Sequence, residues 1–223
     1  MRLHRRSKVS EAANHQNGQN ARAKMILEAA DSLFGELGFD GTSVRDIAER
    51  AGVNKALVFY YFDSKDALFE RVVGTYYEGH HIVLEEAFAR GGSIAERLHY
   101  LADAYVDYID ENRNFPRLMQ RRLSGRSDAD TDLVRRGMEP LLKWTERALE
   151  GLTPPEGALA ARHLFLTFSG AVINFFTYGP VLGASWGLDP MSEEGVAERK
   201  EHLHWLVDAM LNGLKMSRNA DSR

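Results

Sequence analysis

The chain has 223 residues, no cysteine, 44% apolar and 27% charged side chains, and a formal net charge of −4. This composition is ordinary for a folded protein and excludes wholesale disorder, a disulfide framework, a thiol nucleophile and a cysteine zinc site. The lack of cysteine fits a reducing compartment, here the cytoplasm. The basic surplus is local: residues 1–24 carry six Lys/Arg against one acid, and residues 72–223 carry 17 against 22. Only the amino-terminal end is therefore suited to a polyanion, the alternative being a solvated tail.

Residues 1–20 lack an apolar period and read as a flexible basic tail, with no secretory signal behind them. From Ala21 a helix begins. Ile26, Ala29, Ala30, Leu33, Phe34 and Leu37 recur every three or four residues and share one face, and Gly38 ends it. A short helix follows, capped by Thr42 or Ser43, with Val44, Ile47, Ala48 and Ala51 turned inward and Gly52 at its end. Asn54 caps a third helix over 55–62, and Ser64 opens a fourth with Leu68, Val72 and Val73 on its apolar side. Two short helices joined by a tight glycine turn make a helix-turn-helix unit.

The remainder also predicts helices. They fall at Ile94 to Glu111, Phe115 to Leu123, 128–150 with Pro140 bending or splitting it, an almost wholly apolar 158–178, and 192–216. Gly179 to Asp189 reads as a glycine-rich loop. The apolar stretch from His163 to Tyr178 is broken by Thr167, Ser169, Gly170 and Asn174, which argues against a membrane span. The fold class is all-α: a helix-turn-helix domain over 21–68, a helical ligand-binding and dimerisation domain over 69–217, and a tail over 218–223.

A helix that enters the major groove needs a buried back and a polar front. Val53, Val58 and Phe62 supply the back; Lys55, Ala56, Phe59 and Tyr60 form the front. Lys55 can donate to a guanine edge or to a phosphate. Tyr60 can donate to a phosphate and Phe59 can pack on sugar or a thymine methyl; the alternative for both is core packing.

The stretch GFDGTSVRDIAERAGVNKALVFYYFDSKDALF, residues 38–69, resembles the DNA-binding domain of the TetR family of transcriptional regulators. The resemblance implies that Ser43, Arg45, Lys55, Phe59, Tyr60, Tyr61 and Lys65 approach DNA. Arg45 can instead pair with Glu49. Phe59 stands where a tyrosine is usual, and Leu57 where a small or hydroxylated residue is common, so Leu57 suits a thymine methyl. One such module reads few bases, so two must be held about 34–36 Å apart on a palindromic operator of double-stranded DNA. The last two helices offer a homodimer bundle through Phe165, Val172, Phe176, Leu203, Leu206, Met210 and Leu214, unless the apolar helix is an internal core element.

Tyr76, Tyr105, Tyr108, Met119, Trp144, Phe168 and Phe175 can line a pocket for a small apolar or aromatic effector, or simply fill a solid core. Arg117, Arg121 and Arg122 can hold an anion or form a solvated face. His80-His81 and His202-x-His204 lack a further ligand and read as solvated helix histidines rather than a metal site. No nucleophile elbow, P-loop or zinc-protease motif occurs, so neither catalysis nor a cofactor is expected. The sequence thus describes a ligand-responsive, DNA-binding regulator, most simply a repressor. The alternatives are an activator, a ligand-independent regulator, or a helical interaction protein.

Overall fold

The computed structural model describes residues 3–125 and 128–221, with side chains placed for 20–120 and 131–217. Among the described residues there are nine helices and no strand. They are α1 (Leu3–Gly41), α2 (Val44–Arg50), α3 (Lys55–Tyr61), α4 (Lys65–Ala89), α5 (Ile94–Glu111), α6 (Asn114–Gly125), α7 (Asp128–Ala148), α8 (Ala161–Trp186) and α9 (Glu193–Asp221). The chain divides into two compact units, Met1–Thr75 and Tyr76–Arg223. The division falls inside α4, later than the boundary predicted at 68.

In the first unit, α1, α2, α3 and the start of α4 close over Ile26, Ala30, Phe34, Ile47, Val58, Leu68 and Phe69, all buried. Phe34, Phe39 and Phe69 meet pairwise with ring centroids 5.2–5.8 Å apart. Thr42 is buried, its hydroxyl 2.8 Å from the Gly38 carbonyl and 3.1 Å from that of Leu33. Gly38 turns the chain with φ 79° and ψ 171°, a region essentially reserved for glycine. Beyond that turn, Phe39 stacks on Phe34 and closes the end of the core. Leu37, predicted to be inward, is 53% exposed as a result.

The second unit is built on α5 against α9 and on α8 against α5 and α7. Leu98, Ala102, Tyr105, Val106 and Ile109 form the buried stripe of α5. Three ion pairs join α5 to α9: His99 to Asp208 at 3.1 Å, Asp103 to His204 at 2.8 Å, and Asp107 to Lys200 at 2.6 Å.

Four predicted boundaries need correction. α1 starts at Leu3, where a tail was expected through residue 20. The segment contains Ala, Gln, Glu and Arg and no proline, so it forms a helix without needing an apolar face. α7 runs through Pro140, whose ring is exposed, leaving the carbonyl it frees open to water. α8 continues through the supposed loop to Trp186. Gly179 and Gly183 are there for close packing, since a Cβ on Gly183 would lie 2.5 Å from Pro190 Cδ. The extension makes α8 long and apolar enough to cross a membrane by length and composition, a property shared with core helices of soluble proteins. α9 runs to Asp221, past the predicted start of a tail at 218.

Candidate nucleic-acid interface and ligand cavity

The turn between α2 and α3 is fixed by backbone chemistry. Ser43 caps α2: its hydroxyl accepts from the Asp46 N–H at 3.2 Å, and its own N–H donates to the Asp46 carboxylate at 3.0 Å. Hydrogen bonds from the Ser43 hydroxyl and N–H hold the Asp46 carboxyl below its usual pKa. At the other end, Gly52 at φ 65° lets its N–H reach Glu49 O and the Val53 N–H reach Ala48 O, a Schellman closure. Asn54 then caps α3, its side-chain oxygen accepting from the Leu57 N–H at 2.8 Å.

This geometry sets which face of α3 looks outward. Val58 is buried; Val53 and Phe62 are half-buried. Lys55, Ala56, Phe59 and Tyr60 are exposed, with Tyr60 at 69%. The Lys55 ammonium sits 5.6 Å from the Phe59 ring centroid, one helical turn away. Tyr60 stands edge-on to Tyr61 at 5.1 Å. Leu57 and Tyr61 are half-buried at the margin of the face. Ser43 and Arg45 are exposed on α2 and its cap, and no ion pair joins Arg45 to Glu49 among the described residues. A cation, two large aromatic rings and an arginine thus stand outward on a helix-turn-helix frame.

Lys65 is placed differently. Its ammonium donates to Phe39 O at 2.9 Å and Thr42 O at 3.2 Å, and lies 4.1 Å from the Phe39 ring centroid. Two of its three donors are committed to tying α4 to the end of α1. A second tie went unforeseen in the sequence: Arg50 crosses to Glu36 at 3.2 Å and donates to Ser32 at 2.9 Å. Hydrogen bonds from Arg50 and Ser32 hold the Glu36 carboxyl below its usual range.

Within the second unit lies a cavity of 250 Å³. A smaller one of 60 Å³ shares His80, Tyr105, Leu141, Phe165 and Ser169 with it. Of the predicted pocket residues, Tyr105 lines both, Met119 lines the larger, and Trp144 and Phe168 line the smaller. Tyr76, Tyr108 and Phe175 line neither. Tyr76 is buried against Phe115, and Tyr108 donates to the Tyr76 carbonyl at 2.7 Å. Phe175 packs on Phe176 and under the Arg199 guanidinium.

His80 requires correction. It is 4% exposed, not solvated, and stacks on Tyr105 at 4.3 Å. Burial pushes its imidazole pKa down to about 4. The signal was present, because Phe69, Val73, Tyr76, His80 and Leu84 repeat at helical spacing. Among the described residues no cluster suited to a metal ion occurs. Arg117 is exposed, and the side chains of Arg121 and Arg122 lie outside the described residues.

The predicted dimer residues also divide. Val172, Phe176, Leu203 and Leu214 are buried within the chain itself and offer nothing to a second copy. Phe165 lines both cavities and Met210 the smaller, while Leu206 is half-buried. A helix that is apolar all round gives its inner stripe to its own core. The apolar residues left outside are Tyr178, Val181, Leu182 and Trp186 on α8, and Trp205 and Met216 on α9.

An exposed aromatic and basic helix on a capped helix-turn-helix, followed by a helical unit with its own cavity, defines a DNA-binding regulator. Residues 26–72 match the family model for bacterial regulatory proteins of the tetR family. The probable HTH-type transcriptional regulator YttP of Bacillus subtilis is 35% identical over 143 residues, covering 63% of this chain and 67% of that protein. The biofilm operon HTH-type negative transcriptional regulator IcaR of Staphylococcus aureus is 44% identical over 48 residues, 22% of this chain and 26% of that one. The structure of the fatty acid degradation regulator FadR from Bacillus halodurans superposes with a TM-score of 0.67 at 15% identity, over 83% of this chain and 94% of that one. The chain belongs to the TetR family of transcriptional regulators, which bind DNA and are not enzymes.

Proposed function

We propose that this protein is a ligand-responsive repressor, dimeric on a palindromic operator and released by a small apolar or aromatic effector. The observation that carries the DNA-reading half is the outward Lys55–Phe59–Tyr60 face of α3, backed by buried Val58. Lys55 and Tyr60 donate to bases or phosphates, Phe59 and Leu57 meet sugar or thymine methyls, and Arg45, Ser43, Ala56 and Tyr61 flank them. Lys65 serves chiefly to hold the frame. A repressing role is favoured by the negative regulator IcaR, similar over the reading domain.

Two copies of α3 need a fixed separation. The exposed apolar residues of α8 and α9 supply a face for a second copy, where Ala209 and Gly213 allow two helices to approach closely. The effector site is the 250 Å³ cavity. Its ligand favours a form of the dimer whose reading helices no longer match the operator, and the population of the DNA-binding form falls. α4, continuous from the reading unit into the cavity unit, is the element on which that shift acts. A repressor of this kind works beside the chromosome, in the cytoplasm.

Selection of bound duplexes from a random library, followed by gel shift, tests this reading. The wild type retards a palindromic duplex; Lys55→Ala and Tyr60→Ala do so at least about tenfold more weakly. Equal retardation of all duplexes by all three proteins would overturn it.

A further inference from the structure

The larger cavity has an unusual wall. Among the described residues, none that lines either cavity carries a formal charge. The surface is aromatic and thioether: Phe115, Phe165, Met119 and Met138 face the space. The hydroxyls of Tyr105 and Ser169 are hydrogen bonded to each other. One buried polar atom in this wall has no partner, Nε2 of His80, on a ring clamped between Tyr105 at 4.3 Å and Tyr108 at 5.5 Å. An unsatisfied buried nitrogen costs the fold stability unless something arrives to bond it.

We propose that this cavity takes a neutral hydroxylated aromatic molecule, of the phenol or naphthol class, whose hydroxyl pairs with His80 Nε2. This deepens the reading of the second unit as the effector-binding body and rests on it. Neutrality follows from the wall: a carboxylate, phosphate or ammonium would lose its hydration with no opposite charge to meet it. A hydroxyl is indicated because it both donates and accepts, so it satisfies the imidazole in either neutral tautomer. An aromatic body is indicated by the ring faces and by the two methionine sulfurs, which make favourable contacts with ring edges. Size sets the upper limit. An apolar cavity of about 150 Å³ accepts benzene; 250 Å³ accepts one substituted ring or two fused ones.

Equilibrium dialysis of the full chain against 2-naphthol, naphthalene and 2-naphthoate at neutral pH tests the proposal. The expected ranking places 2-naphthol about tenfold tighter than naphthalene, with 2-naphthoate the weakest. His80→Phe abolishes the preference for 2-naphthol and keeps naphthalene binding; His80→Gln, which retains donor and acceptor, keeps the preference. Equal binding of 2-naphthol and naphthalene, tightest binding of 2-naphthoate, a preference that survives His80→Phe, or no binding of any probe would overturn it. If neither variant folds, the wild-type ranking decides alone. Operator release is measured in parallel. The expected ranking without release leaves this inference standing and overturns the ligand-response reading; release by a probe that ignores His80 does the reverse.

Discussion

Lys65 reaches from the first turn of α4 to the carbonyl oxygens of Phe39 and Thr42, at 2.9 and 3.2 Å, with the Phe39 ring beneath its ammonium. A lysine in this position invites a phosphate role, yet most of its donor capacity is spent inside the first unit. The two roles differ in salt dependence. Lys55→Ala should lower the slope of log affinity against log salt by about 0.9, the value for one lost phosphate contact on duplex DNA. Lys65→Met should change that slope less and lower the thermal midpoint instead. Titrations between low and moderate salt, with melting curves alongside, separate the two.

The caps of the reading motif are separable from its DNA surface. Asn54→Ala removes the acceptor for the Leu57 N–H and should cost about 1 kcal/mol in urea unfolding. Asn54→Ser should restore most of it, because serine caps comparably.

Gly137 packs against the ring of Tyr77, and a Cβ there would overlap three of its ring carbons. Gly137→Ala should destabilise the protein by about 1–3 kcal/mol, although alanine is the better helix former. Gly74 lies inside α4, and the space a methyl group would take there has nothing within 4 Å. Gly74→Ala should stabilise by about 0.5–1 kcal/mol. Paired denaturant curves check both signs.

His80 gives the fold an acid sensitivity. Its imidazole is neutral in the folded chain, with a pKa near 4 against 6.5 for the free group. Above pH 6.5 neither state holds the proton and this contribution is intact. As pH falls from 6.5 toward 4 the unfolded chain takes up a proton that the fold refuses, and stability declines by about 3 kcal/mol in all. His80→Phe should flatten that part of the stability–pH curve, followed by urea unfolding across the range.

Much of the fold is legible in the sequence. The face Ile26, Ala30, Phe34, the caps Ser43 and Asn54, and the glycines 38 and 52 are local signals, and local signals fix helix starts and turns. Other features are not local. Leu37 keeps the helical period but loses its buried place to Phe39, which returns only after the Gly38 turn. Gly179 and Gly183 resemble a loop because the reason for their small size is Pro190, which meets them only once the chain has folded back. On α8 the apolar period does not say which side faces its own core, so Val172 and Phe176 read as partner contacts. His80 is hidden by residue type: a histidine beside a second histidine suggests solvent, while its register with Val73 and Leu84 places it inside.

The most direct measurement is hydroxyl-radical footprinting of the selected operator, repeated with Lys55→Ala and Tyr60→Ala. Two protected patches related by two-fold symmetry, with centres about one helical turn apart and both weakened in each variant, are the expected result. A single asymmetric patch, or two patches indifferent to Lys55 and Tyr60, would contradict a paired scaffold reading DNA through α3.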